Sequence, residues 1–318
     1  MTFNYNRTLS KIGLALLILT TFCNLYFRAP EVNAFPIYAQ QSYENPREAT
    51  GRIVCANCHL AQRNIELELP KSVLPNTVFE ATITIPFNTE NKQILSSGKR
   101  GNLNVGAVLI LPDGFKIAPK ELIPEEIKQK TKNTFIQPYS TNNSNILVVG
   151  PMPSNTTQTI TFPILSPDPA KDKNIHFLKY PIYAGGNRGR GQVYPSGDKS
   201  NNNPIISPAN GKVISITKLE NEDYQVNIEA TDGKNFLENI PKNFELQVKE
   251  GDSIIANQFL TQDPNVGGFG QNEAEIVLQS PNRVKGMILF FIIISVAQTL
   301  FVIKKKQWEK VQVSEMNF

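Results

Sequence analysis

The sequence predicts a mainly β protein that ends in a single membrane-spanning helix. Short apolar segments, several of them alternating with polar residues, recur along the chain, and 22 Pro and 19 Gly residues punctuate them. Near the C-terminus stands a run of about twenty mostly apolar residues, enough to cross a bilayer once. Roughly 250 residues lie between the two ends, which suffices for one large domain or two moderate ones.

The N-terminus has the layout of an export signal. Arg7 and Lys11 precede the apolar run Ile12–Leu19, and Val32-Asn33-Ala34 offers small or aliphatic residues at a cleavage site. The apolar run is too short to span a bilayer, so we expect residues 1–34 to be removed. A buried N-terminal helix is the alternative.

Residues Cys55-Ala56-Asn57-Cys58-His59 form a C-x-x-C-H motif. Two thiols at this spacing can bond the two vinyl groups of one haem, while the adjacent His59 supplies an imidazole nitrogen to the iron. The third Cys of the chain, Cys23, lies in the segment expected to be removed. The motif therefore predicts one covalent haem c, attached to Cys55 and Cys58. Such attachment takes place on the far side of an energy-transducing membrane, in agreement with the export signal.

Two other chemistries also use a Cys pair. A thiol redox site of this spacing lies in a strand–helix context of thioredoxin type, a pattern that the residues around the motif do not show. A zinc site needs about four nitrogen or sulfur ligands, and the only other His in the chain is His176. Both interpretations are less favoured than haem attachment.

The middle of the chain has the texture of strands. Val78–Ile85 alternates in part, Gly106–Leu111 is a continuous apolar run that ends in the turn Pro112-Asp113-Gly114, and Thr157–Ile164 alternates again. Shorter strands are predicted at Ile146–Val149, His176–Tyr183, Val213–Thr217, Tyr224–Ala230 and Phe244–Val248. Because a helix is predicted only around Glu121–Lys130, a β-sandwich is the expected class.

A domain boundary is predicted between residues 185 and 203, where Gly, Arg, Ser and Asn show no apolar periodicity. The phrases that follow, Ile205–Val213 and Lys249–Ile255, resemble the hairpins of biotinyl and lipoyl carrier domains, without a carrier lysine motif between them. Arg188 and Arg190 could belong to an RNA-binding element, but they are isolated. A solvated loop is the favoured interpretation, so no nucleic-acid partner is expected.

The C-terminal apolar run, Val284–Ile303, is followed at once by Lys304-Lys305-Lys306. The positive-inside rule keeps these lysines on the side from which the protein was exported, so the haem motif faces the opposite compartment. Residues 304–318 are expected to form a tail on the lysine side. Lys285, near the other end of the run, can extend its amine to the interface.

An electron-carrying haem needs a sixth iron ligand, and the residues leave several candidates open. They are Met152, His176, a lysine, and the α-amino group of Phe35 that cleavage after Ala34 would create. The amine reaches its neutral, coordinating form more readily than a lysine, because its pKa is about 7.7–8.0 against about 10.4. Chemistry alone divides the choice about evenly between the amine and Met152.

Several stretches of the chain, distributed from the signal to the tail, resemble the same protein family. They are Phe35–Gln41, Tyr43–Val54 with the haem motif, Asn104–Pro112, Gly189–Pro195 and Asp263–Gln271. Together they resemble the cytochrome f family of oxygenic photosynthesis. The resemblance implies an elongated, mostly β lumenal part, in which a small lipoyl-like domain is inserted into a large β-sandwich haem domain, and one transmembrane helix. The corresponding ranges are 35–203 and 263–283 for the large domain, 204–262 for the small domain and 284–303 for the helix.

The resemblance also assigns site residues. In that family the sixth ligand is the α-amine of the mature N-terminus, usually of a Tyr, and this role carries over onto Phe35. Three further sets follow: Pro36, Tyr38, Pro151 and Tyr194 around the haem; Asn187, Gln192 and Asn202 along an internal water chain; and Lys92, Lys99 and Arg100 in a basic docking patch. For the Asn residues, loop capping is an equal alternative. With a net charge of only +4, and with Glu220, Glu222 and Asp223 beside Lys218, steering of an acidic partner should be weak.

The function implied by the resemblance is electron transfer within the cytochrome b6-f complex, beside cytochrome b6, subunit IV and the Rieske iron–sulfur protein, in a thylakoid membrane of plastid or cyanobacterial origin. The haem would accept an electron from the Rieske protein in the lumen and pass it to plastocyanin or a soluble c-type cytochrome. The subunit would be an electron carrier and no enzyme in itself. The alternatives from other classes are a membrane-anchored thiol oxidoreductase and a haem sensor or haem-delivery protein.

Overall fold

The computed structural model describes residues 36–153 and 158–316, in which strands predominate. The predicted export signal, Phe35, Thr157 of one predicted strand and the last two residues of the tail lie outside the described residues. The helices are α1 (Ile37–Ser42), α2 (Glu125–Thr131) and α3 (Pro281–Met316), and Val54–Asn57 form a 3₁₀ turn. The strands, numbered in chain order, are β1 (Glu66–Glu68), β2 (Ser72–Val73), β3 (Val78–Thr84), β4 (Gln93–Ile94), β5 (Arg100–Gly101), β6 (Asn104–Ile110), β7 (Lys116–Ile117), β8 (Ile136–Pro138), β9 (Ile146–Pro153), β10 (Thr159–Leu165), β11 (Lys179–Arg188), β12 (Gly211–Lys218), β13 (Tyr224–Ala230), β14 (Asn235–Ile240), β15 (Ser253–Ile254) and β16 (Gly268–Leu278).

Two sheets pack face to face and form a sandwich. One has six strands in the order β2-β16-β11-β6-β9-β8, and the other has four in the order β1-β3-β10-β7. The alternation read in the sequence supplies the inner faces: Ala81 and Ile83 of β3 and Phe162 of β10 are fully buried against Leu109 and Ile182 of the larger sheet. The mainly β prediction is confirmed: strands predominate among the described residues, and β3 shows the period-2 burial that the sequence pattern predicts.

The larger sheet is covered on its second face as well. Val108 and Ile110 of β6 and Val148 of β9 pack there against Phe269 and Ile53 in a separate apolar cluster. Since β6 is buried on both faces, its sequence is a continuous apolar run rather than an alternating one. Ile53 lies in the segment that leads into the C-x-x-C-H motif, so this second cluster anchors the motif to the sheet.

A third sheet, in the order β14-β13-β12-β15, is built from the segment that follows the predicted boundary. Val226 and Ile228 of β13 are buried in its own apolar cluster, which Ile94 of β4 also joins. The predicted strand Phe244–Val248 is wrong: Leu246 makes only an isolated bridge to Thr261. Phe244 and Val248 are nevertheless buried in the cluster. The apolar alternation of this segment reflects the burial of its side chains, although its backbone does not pair as a strand.

The predicted linker between residues 185 and 203 begins inside the larger sheet. Residues 185–188 are the last four of β11, paired with β6 on one side and β16 on the other. A Cβ atom at Gly185 would lie 2.6 Å from the ring of Phe269, so this glycine serves close packing rather than flexibility. Arg188 is 2% exposed, and both of its terminal nitrogens donate to the carbonyl oxygen of Asn64. The solvated-loop interpretation of Arg188 is therefore wrong.

Helix α3 contains the predicted span and is longer than the sequence indicated. It begins three residues before Val284 and continues through the predicted tail to Met316. It is the one helix of the described residues that is long and apolar enough to cross a membrane. The tail is helical because no Gly or Pro follows the span and an ion pair, Lys305 to Glu309, links successive turns.

Candidate functional site

The C-x-x-C-H motif folds as a tight turn. The amide of Cys58 donates to the carbonyl oxygen of Cys55 at 3.3 Å, and the amide of His59 donates to the same oxygen at 3.0 Å. Neither Cys55 nor Cys58 is in a disulfide, and both are half-buried. The turn starts from a fixed point, because the amide of Ile53 donates to Oε1 of Gln271 at 3.0 Å.

The segment after β11 supports the motif from behind. The amide of Gln192 donates to the carbonyl oxygen of Cys58 at 2.8 Å, and its side-chain Oε1 accepts from the amide of Leu60 at 3.1 Å. A Cβ atom at residue 191 would lie 3.1 Å from that Cys58 oxygen. Gly191 therefore lets the two segments approach closely, and Gln192 fixes the backbone on both sides of His59.

His59 has the environment of a metal-binding imidazole. One ring nitrogen, Nε2, lies 3.4 Å from Nδ2 of Asn187, and the other is buried without a partner among the described residues. Burial lowers the pKa of His59 to about 4, so the ring is neutral at physiological pH. A metal ligates the neutral imidazole through its unprotonated nitrogen, while the other nitrogen carries the proton. The residues present thus fit an iron ligand.

The position of Asn187 depends on a glycine of the neighbouring strand. A Cβ atom at Gly106 would lie 2.6 Å from Oδ1 of Asn187. Gly150, with φ of +126°, is equally close, since a Cβ atom there would lie 2.8 Å from Cα of Gly106. The next residue, Pro151, is half-buried in β9. Gly150 and Gly106 therefore connect Pro151 to Asn187, which in turn lies beside His59.

The N-terminal helix α1 is tied to the same region by Tyr139, a residue that sequence reasoning missed. The Tyr139 hydroxyl lies 2.6 Å from the carbonyl oxygen of Ala39 and 2.7 Å from that of Tyr43, and Nε2 of Gln40 donates to the Tyr139 carbonyl at 2.7 Å. Burial, followed by the nearby Cys55, raises the pKa of Tyr139. No local pattern marks this Tyr, because its partners lie about a hundred residues away in the chain.

The remaining predicted haem neighbours, Pro36, Tyr38 and Tyr194, are partly exposed. Pro36 and Tyr38 are half-buried at the start of α1. Tyr194 is 37% exposed, and its hydroxyl lies 3.4 Å from a terminal nitrogen of Arg190. Arg190, unlike Arg188, is only half-buried.

Two of the predicted water-chain residues are buried together. Nε2 of Gln192 and Nδ2 of Asn202 both donate to the carbonyl oxygen of Arg190, at 3.0 and 3.3 Å. Oδ1 of Asn202 is buried and lacks a partner among the described residues. Gln192 thus contacts both the carbonyl oxygen of Cys58 and the carbonyl oxygen of Arg190, to which Asn202 also donates.

The three predicted docking residues are exposed. Nζ of Lys92 donates to the side chain of Asn102. Arg100 forms an ion pair with Glu245 at 2.9 Å and donates to the carbonyl of Asn243 at 2.9 Å. Glu245 reduces the net charge of this group from +3 to +2.

The other two candidates for the sixth ligand lie elsewhere. Met152 is paired with Val105 in the larger sheet and packs against the sandwich core rather than the cluster around Cys55. His176 precedes β11, whose opposite end carries Asn187. Lys179 and Asn187 are eight residues apart on this strand, which corresponds to about 26 Å at about 3.3 Å per residue.

Comparison with known proteins points to one family. The family model "Apocytochrome F, N-terminal" matches residues 35–189, and "Apocytochrome F, C-terminal" matches residues 201–318. Cytochrome f of Gracilaria tenuistipitata var. liui is 63% identical over 308 residues, covering 96% of this chain and 99% of the relative. The Porphyra purpurea protein is 61% identical, covering 95% of this chain and 94% of the relative, and that of Chlamydomonas subcaudata is 56% identical over the full length of both.

Similarity to solved structures is weak. A cohesin module from a Clostridium perfringens family 33 glycoside hydrolase covers 68% of this chain and 97% of its own, with a TM-score of 0.26 and 8% identity. A likeness at this level carries no argument about fold or function.

A β-sandwich that holds a C-x-x-C-H turn with a neutral imidazole, and that ends in one apolar helix of membrane-spanning length, defines a membrane-anchored c-type haem protein. The family models together cover most of the sequence, and the relatives match it nearly end to end. The chain belongs to the cytochrome f family, the haem electron-transfer subunits of the cytochrome b6-f complex.

Proposed function

We propose that this chain carries one haem c, bonded to Cys55 and Cys58, and relays electrons from the Rieske iron–sulfur protein to plastocyanin or a soluble c-type cytochrome in the thylakoid lumen. The observation that supports the proposal most strongly is the C-x-x-C turn followed directly by a buried, neutral His59. When bound, the haem supplies a one-electron iron couple. The chain would attach the haem and ligate its iron beside Asn187, which lies about 26 Å along β11 from Lys179.

The proposed domain plan follows the same division. The sandwich, from residues 35–203 and 263–283, holds the haem, and residues 204–262 form the inserted small domain. The separate apolar clusters of the two regions are consistent with this plan. Cytochrome b6 and subunit IV would surround α3, with residues 304–318 on the stromal or cytoplasmic side.

The thiols are poorly suited to the alternative function of a thiol oxidoreductase. Burial raises the pKa of the Cys55 thiol to about 12 and also raises the pKa of Cys58. Reactive redox cysteines have a lowered pKa, because the thiolate is the nucleophile. Both thiols are therefore protonated at neutral pH in the unattached chain.

The sixth ligand that we propose is the α-amine of Phe35. Helix α1, which follows Phe35 by one residue, is fixed beside Cys55 through Tyr139 and Gln40. Met152 packs into the sandwich core. The pKa of an α-amine, about 7.7–8.0, is close to neutral pH, so the neutral form that coordinates a metal is reached at little cost.

Replacing Met152 by Leu should leave the low-spin optical spectrum of the haem unchanged, because the substitution conserves apolar volume and removes no ligand. In contrast, a variant left uncleaved at Ala34 should show an altered sixth ligand, since it has no free amine at Phe35. Electronic absorption and electron paramagnetic resonance spectra report both. Loss of the low-spin state in Met152→Leu would reverse the assignment.

We further propose that Asn187, Gln192 and Asn202 hold internal water. The support is the buried Oδ1 of Asn202, which has no partner among the described residues. A buried polar atom without a protein partner is a common site for an ordered water.

The basic group Lys92, Lys99 and Arg100 is proposed to steer an acidic electron acceptor. Changing all three to Gln should lower the second-order rate of electron transfer about tenfold at low ionic strength and flatten its salt dependence, because steering is electrostatic and screened. Stopped-flow mixing over a range of ionic strengths measures both quantities.

Two control variants separate local steering from net charge. Lys71, Lys171 and Lys173 are also exposed, and their change to Gln removes the same charge elsewhere. Glu245→Gln should raise the rate, because it removes the carboxylate that pairs with Arg100. Equal effects of the two triple variants, or an unchanged salt dependence, would exclude a local docking patch.

A further inference from the structure

Three exposed apolar residues lie where the larger sheet meets the membrane anchor. Strand β2 runs parallel to the end of β16, pairing Val73 with Leu278, and the amide of Gln279 donates to the carbonyl of Val73 at 2.8 Å. On the other side, the amide of Leu278 donates to the carbonyl of Leu178 at 3.0 Å. Leu74 directly follows Val73, and Phe177 directly precedes Leu178, so all three apolar residues lie next to this end of β16.

These residues are unusual for the end of a sandwich because they face away from its core. Leu74 is 45% exposed, Phe177 is 42% exposed and Leu178 is 55% exposed. Val73, directly before Leu74, and Ile175, two residues before Phe177, are buried. We call Leu74, Phe177 and Leu178 the anchor-side patch.

The anchor-side patch is close to the bilayer by covalent geometry. Helix α3 begins at Pro281, two residues after Gln279, and the apolar span begins at Val284. Val284 is five positions after Gln279. At a helical rise of about 1.5 Å per residue for the last three, the patch lies within about 15 Å of the span. Apolar and aromatic side chains at that level are at the depth of the headgroup region.

We propose that the anchor-side patch inserts into the lipid interface beside α3, on the haem side of the membrane. The occupant is the headgroup–acyl boundary of the bilayer itself, because the patch adjoins α3, the one helix of the described residues that is long and apolar enough to span lipid. The inserted side chains give the sandwich a second contact with the membrane and restrict its rotation about the anchor.

The charges around the patch are compatible with a lipid surface. Exposed cations lie in the segments that adjoin it along the chain and in the first turns of α3, namely Lys71, Lys171, Lys173, Lys179, Arg283 and Lys285. Of the carboxylates in the same segments, Glu275 pairs with Lys179, whereas Asp168 and Asp172 keep their charge and accept from Nδ2 of Asn76 at 2.8 Å and from the amide of Asn174 at 2.9 Å. Long basic side chains beside an apolar patch are typical of interfacial segments.

Tryptophan fluorescence in full-length holoprotein tests the proposal. The chain has a single Trp, Trp308, so Trp308→Phe gives a silent background. Into it Phe177→Trp is introduced, with Phe135→Trp as the matched control, since Phe135 is 77% exposed but lies on the segment after α2. Each protein is reconstituted in phosphatidylcholine vesicles with and without bromine on the acyl chains. The ratio of the two emissions cancels quenching by the haem.

The emission of the Phe177→Trp protein should be roughly halved by brominated lipid, because interfacial side chains lie about 5–10 Å into the headgroup–acyl boundary, while that of the Phe135→Trp protein should not change. Leu178→Trp should behave as Phe177→Trp, which guards against a local effect of one substitution. Equal ratios for the Phe177→Trp and Phe135→Trp proteins would overturn the proposal. It would also be overturned if quenching seen in the isolated subunit vanished in the assembled complex, because the patch would then be a protein contact.

Discussion

Replacing both Cys55 and Cys58 by Ala is expected to abolish covalent haem in this protein. The two thiols are the only Cys side chains among the described residues, and they sit on one tight turn beside His59. Without them no thioether bond can form, and the haem would be held by axial ligands and packing alone. Haem staining after denaturing electrophoresis should therefore fall from a strong band to none.

The controls for this result use single changes. Cys55→Ala and Cys58→Ala should each keep a weaker stained band through the remaining thioether. Cys23→Ala should stain like the unmodified protein, since Cys23 lies in the segment expected to be removed. A stained band of full strength from the double variant would refute attachment at this motif.

Removing everything after Arg283 should convert the protein from a membrane-bound form to a soluble haem protein. The sandwich core and the third sheet bury their apolar residues without any contribution from α3, whose residues are all unburied in the isolated chain. The apolar span alone accounts for stable anchoring, because about twenty apolar residues fill a hydrocarbon core of about 30 Å. The truncated protein should appear in the supernatant after a high-salt wash, with its haem spectrum unchanged.

Truncation after Ile303 is the matched control, because it removes the lysines and the tail but keeps the span. That variant should remain in the membrane fraction. The anchor-side patch can give the shorter protein at most a weak and reversible attachment, as a few interfacial side chains do. If the protein truncated after Arg283 resists the wash, or fails to take up haem, then α3 is part of the fold and not only an anchor.

The strands that the sequence predicts well are those whose burial has a simple period. Tyr224–Ala230 has the predicted bounds, and Val78–Thr84 differs by one residue, because one face of each strand is buried and the other is not. The long strand β16 escaped prediction, since it combines closely packed glycines with exposed polar residues. Gly185 and Gly186 are predicted to begin a linker but lie inside β11, because glycine occurs at close-packed positions of a sheet as well as in turns.

The site divides along a similar line. The haem motif is local, so its five residues identify it without a structure. Its supports are not local: Gln271 is 218 residues from Ile53, and Asn187 is 128 residues from His59. The family resemblance supplied Asn187 and Gln192, whereas Tyr139 and the buried Arg188 became visible only through their contacts.

The mass of the intact purified protein under denaturing conditions tests the central claim most directly. Covalent attachment and cleavage after Ala34 together predict a single species, equal to residues 35–318 plus one haem, in which the haem resists acidic acetone. Sequencing of the N-terminus should begin with Phe35. A polypeptide mass without haem, or a haem that acidic acetone extracts, would contradict the assignment of Cys55 and Cys58, and an N-terminus other than Phe35 would contradict the proposed sixth ligand.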